Sequence, residues 1–112
     1  MRTSSAKAKG RRLCAYVREK LLEWAKDLEQ GDIAVPAGSQ PGSDLFMSPL
    51  AQKTYPIAWE MKNQESLNIW AALEQAATHA EGTELKPVVA FSRNRSKVYV
   101  AMELDDFLWM MR

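Results

Sequence analysis

The period of the hydrophobic positions changes several times along the chain, and each change predicts an element. Leu13, Val17, Leu21, Trp24 and Leu28 recur at spacings of three and four, the stripe with which an amphipathic helix covers a core. A first helix is therefore expected over 13–28, ending near Gln30 and Gly31, where a glycine can adopt the left-handed conformation that closes a helix. A short apolar piece at 33–35 gives way to a loop over 36–43 so dense in proline, glycine and serine that it can sustain neither ladder nor helix. Residues 44–47 read as a strand beginning at Asp44, and a polar connection after Ser48 and Pro49 reaches Tyr55 and Pro56.

Over 57–62 the period becomes two. Ile57, Trp59 and Met61 fall on one face of the predicted strand, and Ala58, Glu60 and Lys62 on the other. One face is apolar and the other carries charge. A second helix is expected over 66–81, rich in Ala, Leu, Glu and Gln, with Ser66 as its N-cap and Gly82 as its terminator. Two β-rich runs, 87–91 and 97–102, are joined by 92–96 in what reads as a hairpin, and Asp105 is placed to cap a short terminal helix. The predicted order is helix, three strands, helix, two strands and a short helix. This is an α/β fold with a small mixed sheet flanked by helices.

Composition narrows the class. At 112 residues the chain suits one compact domain, 1–112, with a basic and flexible tail over about 1–9. Nearly half the residues are hydrophobic and about a quarter charged, the usage of an ordinary globular protein. No apolar run approaches the roughly 20 residues that cross a bilayer, and the basic start lacks the apolar core of a signal peptide. A cytoplasmic protein with no membrane partner is expected. The lone Cys14 excludes an internal disulfide and a thiol-rich zinc site, so stability must come from packing or from oligomerisation.

The net charge of +1 says little, but its distribution says more. Arg2, Lys7, Lys9, Arg11 and Arg12 crowd the first dozen residues, and Arg93, Arg95 and Lys97 form a second group. Both could meet nucleic-acid phosphates, as Lys7, Lys9, Arg11, Arg12, Arg93 and Arg95 are placed to do; both equally suit a solvated tail and a polar hairpin loop.

Metal-assisted phosphodiester cleavage needs hard oxygen ligands, a polarised water and a cation near the developing charge. Glu60 and Lys62, one residue apart on a strand, present a carboxylate and an ammonium on one face. If the strands at 44 and 60 pair, Asp44 and Glu60 can reach one metal ion, with the Met61 backbone carbonyl as a further ligand and Lys62 holding or deprotonating the attacking water. The spacing alone also suits a solvent-facing strand edge with an ion pair. What favours chemistry is the apolar setting, where unpaired charges are costly.

The chain resembles the PD-(D/E)xK nuclease superfamily, and within it the small Holliday junction resolvases of archaea and bacteriophages. The residues that carry the likeness are Lys9-Gly10 at the first helix, Ala37-Gly38-Ser39 in the loop, Asp44-Leu45, Glu60-Met61-Lys62, and Gln75 in the following helix. The run from Trp59 to Glu65, with Asn68-Ile69-Trp70, is similar to phage members in particular. The likeness spans about Lys9 to Phe107. It implies a restriction-endonuclease-like core, a homodimer, and Mg²⁺-dependent nicking of four-way junctions or other branched DNA, with Mn²⁺ able to substitute. Asp44 and Glu60 would then hold the metal, Lys62 would be the catalytic lysine, and Ser39 would assist cleavage. In one respect the chain departs from the archaeal enzymes, which carry a glutamate where Cys14 stands. Glu19 is the nearest acid downstream, but five residues turn it roughly 140° away around the helix. Gln75, Gln64 or Glu19, or water, would have to complete the shell.

Other residues invite blander readings. His79, the single histidine, suits a helix C-terminus at the surface. Cys14 suits a small packed hydrophobe, and Trp24 and Trp59 suit the core. Trp70, Phe107, Leu108, Trp109 and Met110 suit a subunit contact. Two alternatives stay open beside junction cleavage: a nuclease for flaps or duplex DNA, and a catalytically silent DNA-binding module of the same fold.

Overall fold

A computed structural model describes the backbone of residues 2–37 and 43–112, with side chains from residue 6 onward within them. In order these residues form α1 (Arg2–Trp24), a 3₁₀ turn (Gln30–Asp32), β1 (Ile33–Ala34), β2 (Phe46–Met47), α2 (Pro49–Thr54), β3 (Ile57–Asn63), α3 (Ile69–Ala80), β4 (Lys86–Ser92), β5 (Tyr99–Ala101) and α4 (Leu104–Met111). The strands β3, β4 and β5 make one sheet in that order, and β1 with β2 makes another. β3 runs parallel to β4, from Ile57 opposite Lys86 to Asn63 opposite Ser92, with α3 as the crossover. β4 and β5 form the expected antiparallel hairpin. The α/β architecture with a small mixed sheet flanked by helices is as the hydrophobic pattern predicts.

The alternation read from β3 holds, but both faces are buried. On one face Ile57, Trp59 and Met61 join Leu13 and Val17 of α1, with Leu28, Ile33, Leu45, Met47, Ala51, Val88 and Ala90. On the other, Val89 of β4 packs with Ala72 and Ala76 of α3. The buried positions of α3 are Ala72, Ala76 and Ala80, four apart and so on one stripe. Alanines at its buried positions, with Ile69 and Leu73 packed alongside, leave volume for the longer side chains of Glu60 and Lys62 on this face.

Several boundaries differ from expectation, each for a local reason. The first helix runs Arg2–Trp24 rather than over 13–28. Its early turns are rich in Ala, Lys and Arg, which favour helix without an apolar stripe, and Leu28 reaches the core from a turn in which its N–H donates to the Ala25 carbonyl at 3.1 Å. Trp24, expected in the core, is 80% exposed at the last position of α1, where Leu21, Leu22, Ala25 and Leu28 around it take the places against the core. The polar connection after Ser48 contains α2: the Ser48 hydroxyl accepts from the Ala51 N–H, and Pro49 takes the first helical position. Asn68, not Ser66, caps α3, its side chain accepting from the Ala71 N–H at 3.1 Å. Gly82 follows α3 with φ of 80°, in keeping with its expected terminating role. Glu103 rather than Asp105 precedes α4, and Asp105 lies in its first turn, where a negative charge suits the helix dipole.

Candidate active site

The site is assembled on the edge of β3 that β4 does not use. Asp44 was expected to reach Glu60 through pairing of their strands, but β2 pairs with β1. Individual hydrogen bonds make the link instead. The Asp44 N–H donates to the Trp59 carbonyl at 2.7 Å, and the Ser43 hydroxyl accepts from the Trp59 N–H at 2.9 Å. The Met61 N–H then donates to Oδ2 of Asp44 at 2.7 Å. In an extended strand the N–H and C=O of one residue leave on the same edge. The Met61 carbonyl therefore emerges on the edge that Asp44 occupies.

Glu60 is 3% exposed and is the buried charged residue among those described. Its Oε1 lies 2.8 Å from Nδ1 of His79, and its Oε2 lies 3.7 Å from Nζ of Lys62. Burial pushes the Glu60 carboxyl above its ordinary range, and the negative charge of Asp44 pushes the same way; the hydrogen bond from His79 and the charges of Lys62 and His79 pull it back. Acid, base and imidazole thus form one chain on the α3 face of the strand.

A cavity of about 570 Å³ opens beside these groups. Asp44, Glu60 and Met61 form its floor, Gln75 and His79 of α3 one wall, and Lys7, Gly10, Arg11 and Cys14 of α1 the other. A second cavity of about 490 Å³, bordered by Ala34, Leu45, Phe46, Met47, Ile57 and Leu85, has no ionisable lining and offers no such chemistry.

The structure brings some of the expected residues together and separates others. Asp44, Glu60, Met61 and Gln75 share the cavity, and Lys62 joins through its ion pair with Glu60. Ser39 lies outside the described residues. Gln64 borders a separate groove with Phe91, Arg93 and Tyr99, because β3 has carried it past the site. Glu19 points away from the cavity, as its helical angle requires, and pairs with Arg18 at 3.0 Å in solvent. Of the basic residues, Lys7 and Arg11 line the cavity, whereas Arg12 is exposed elsewhere on α1. The Lys9 carbonyl accepts from Nδ2 of Asn63 at 3.1 Å, tying α1 to the end of β3. Arg93 and Arg95 are exposed in the β4–β5 turn, where Arg95 takes φ of 61°.

Two residues read blandly from the sequence belong to this site. His79 stands in the last turn of α3 as expected, but its half-buried ring touches Glu60, one turn beyond Gln75 on the same wall. Its i+4 relation to Gln75 was the available signal. Cys14 packs against the core as expected, yet it also lines the cavity, and its thiol is pushed up to about 11 by burial first, then by Asp44 and Glu60. Cys14 therefore shares the cavity with the acid pair of Asp44 and Glu60. Among the described residues no group of three or more His, Cys, Asp or Glu side chains is arranged to hold a metal ion.

A family model described as phage putative PDDEXK endonuclease matches residues 5–111, and the chain belongs to that family. No curated protein and no solved structure matches it. Among the described residues no helix is long and apolar enough to cross a membrane.

Proposed function

We propose that this protein is a metal-dependent DNA endonuclease that cuts branched DNA, four-way junctions foremost, with Asp44, Glu60 and Lys62 as its catalytic groups. Family membership supports the endonuclease class. The observation that carries the site assignment is Glu60, a buried carboxylate held between Lys62 and His79 and facing the same cavity as Asp44. A buried charge is costly to retain, and such strained ionisation marks functional clefts.

The donor set fits a hard divalent cation. Asp44, Glu60 and the Met61 carbonyl are oxygen donors on one cavity floor, and Mg²⁺ is commonly held by one or two carboxylates, with water and substrate phosphate completing the shell. When bound, Mg²⁺, or Mn²⁺ in its place, supplies Lewis acidity toward the phosphate and a more acidic water. The protein's own groups do the rest. Lys62 sits where it can hold the attacking water or neutralise charge that builds on the phosphate, and Lys7 and Arg11 line the cavity where a DNA backbone would enter. Residues 1–112 are read as one nuclease domain acting in the host cytoplasm. A homodimer would match the two strands of a junction. Leu104, Phe107, Leu108, Trp109, Met110 and Met111 of α4 are all at least 36% exposed, which suits such a contact.

The test is a panel of end-labelled four-way junctions, flaps and linear duplexes cut at one salt concentration with Mg²⁺. Preferential, paired nicking of junctions is expected. Equal rates on linear duplex would remove junction selectivity and leave a general nuclease. Cys14, in the place of an acid, favours a second reading as a silent DNA-binding module. Calorimetry separates the two, since a silent module shows no Mg²⁺ or Mn²⁺ binding that depends on Asp44.

A further inference from the structure

A buried carboxylate has two oxygens to satisfy, and those of Glu60 are served unequally. Lys62 stands 3.7 Å from Oε2, beyond hydrogen-bond reach, whereas Nδ1 of His79 stands 2.8 Å from Oε1. Apolar packing confines the Glu60 side chain but offers its oxygens no directional partner. The buried residues of this face are Ala72 and Ala76 of α3 and Val89, the register partner of Glu60, with Leu67, Ile69, Leu73 and Phe91 packed against them, and none of these carries a polar group on its side chain to fix the carboxylate's direction. Among the described residues the one short, directional contact to Glu60 therefore comes from α3.

We propose that His79 is a positioning residue for metal capture: with Glu60 ionised, the Nδ1–H donates to Oε1 and aims the carboxylate toward the edge of β3 where Asp44 lies. This rests on the reading of Asp44 and Glu60 as the metal-holding pair. Carboxylates that ligate metals are held from behind by hydrogen-bonded partners, and losing such a partner typically lowers metal affinity about 10- to 100-fold. Orientation matters more here than in a site with a third acid. Cys14 supplies none, so two carboxylates must meet the ion in the correct attitude without help from α1.

The experiment is calorimetric titration of DNA-free protein with Mn²⁺ at one pH, comparing wild type with His79→Ala, His79→Asn and Asp44→Asn. An asparagine amide N–H sits the same number of bonds from Cα as the Nδ1–H of histidine. His79→Ala is expected to weaken Mn²⁺ binding about 10- to 100-fold, and His79→Asn to restore most of it. In cleavage assays His79→Ala should raise the metal concentration for half-maximal rate more than it lowers the rate at saturating metal, a split that mere loss of structure would not give. Thermal unfolding in EDTA verifies folding; if the alanine variant fails to fold, His79→Gln, whose donor lies one bond further out, should bind more weakly than His79→Asn. Wild-type or tighter affinity in His79→Ala, with binding lost in Asp44→Asn, overturns the role of His79. Unchanged affinity in Asp44→Asn brings down the reading of the metal site and the role of His79 with it.

Discussion

The two faces of β3 are buried alike and built from opposite materials. Toward α1, Ile57, Trp59 and Met61 meet Leu13 and Val17, and the gain is apolar area removed from water. Among the described residues even the indole Nε1 of Trp59 has no hydrogen-bond partner there, so the contribution of that ring is one of packing. Toward α3, Glu60 and Lys62 meet a helix whose buried positions are all alanine. Stability is concentrated on one face and chemistry on the other. The lesson is that alternation in one strand can divide these duties only if the two covering helices differ in bulk.

The comparison can be broken most forcefully on the apolar face. Trp59→Ala should cost roughly 3–5 kcal/mol of folding stability, read by urea unfolding, since a large buried ring is replaced by a cavity. A loss below about 1 kcal/mol would show that the α1 face is not the stabilising one. On the charged face, Lys62→Ala should slow single-turnover DNA cleavage on the order of 10²–10³-fold with little change in unfolding midpoint, because its partner keeps the bond from His79. A stability loss as large as that of Trp59→Ala would merge the two faces into one structural role. Smaller again, Ala76→Leu should cost about 1–3 kcal/mol by overfilling the space beneath α3, and should also slow cleavage by displacing His79.

The subtlest effect is on pH dependence in EDTA. The folded state holds the Glu60 proton more tightly than the unfolded chain, whose carboxyl keeps the ordinary value of 4.5. Wild type should therefore lose stability relative to Glu60→Gln as pH rises from 4.5 through the raised folded value, and the difference should level off above it. Urea unfolding of both proteins between about pH 4 and 8 measures this, and the opposite slope would mean that the partners of Glu60 outweigh its burial.

Much of the charged face was legible in the sequence, because side-chain alternation is a local property of a strand. Glu60 and Lys62 could be placed together from one residue of separation. Asp44 could be placed near them only by supposing a strand pairing, and the actual link, through the Ser43 hydroxyl and the Asp44 backbone and carboxylate, leaves no periodic trace. His79 was less legible still, since it meets Glu60 across 19 residues and a crossover whose geometry the sequence does not state. The helix at Pro49–Thr54 has a local signal, since Ser followed by Pro marks a helix start as well as a break. Trp24 shows the converse, a residue on the apolar stripe that stands exposed at the helix end while Ala25 and Leu28 just after it pack against the core.

Whether the Asp44, Glu60 and Lys62 edge of β3 cuts DNA with a divalent metal is decided by nicking of covalently closed DNA carrying an extruded four-way junction. Wild type should nick it in Mg²⁺ and not in EDTA, and Glu60→Ala, folded by circular dichroism, should not nick it under either condition. Nicking by Glu60→Ala at the wild-type rate, or wild-type nicking that persists in EDTA, would contradict metal-dependent cutting by this edge.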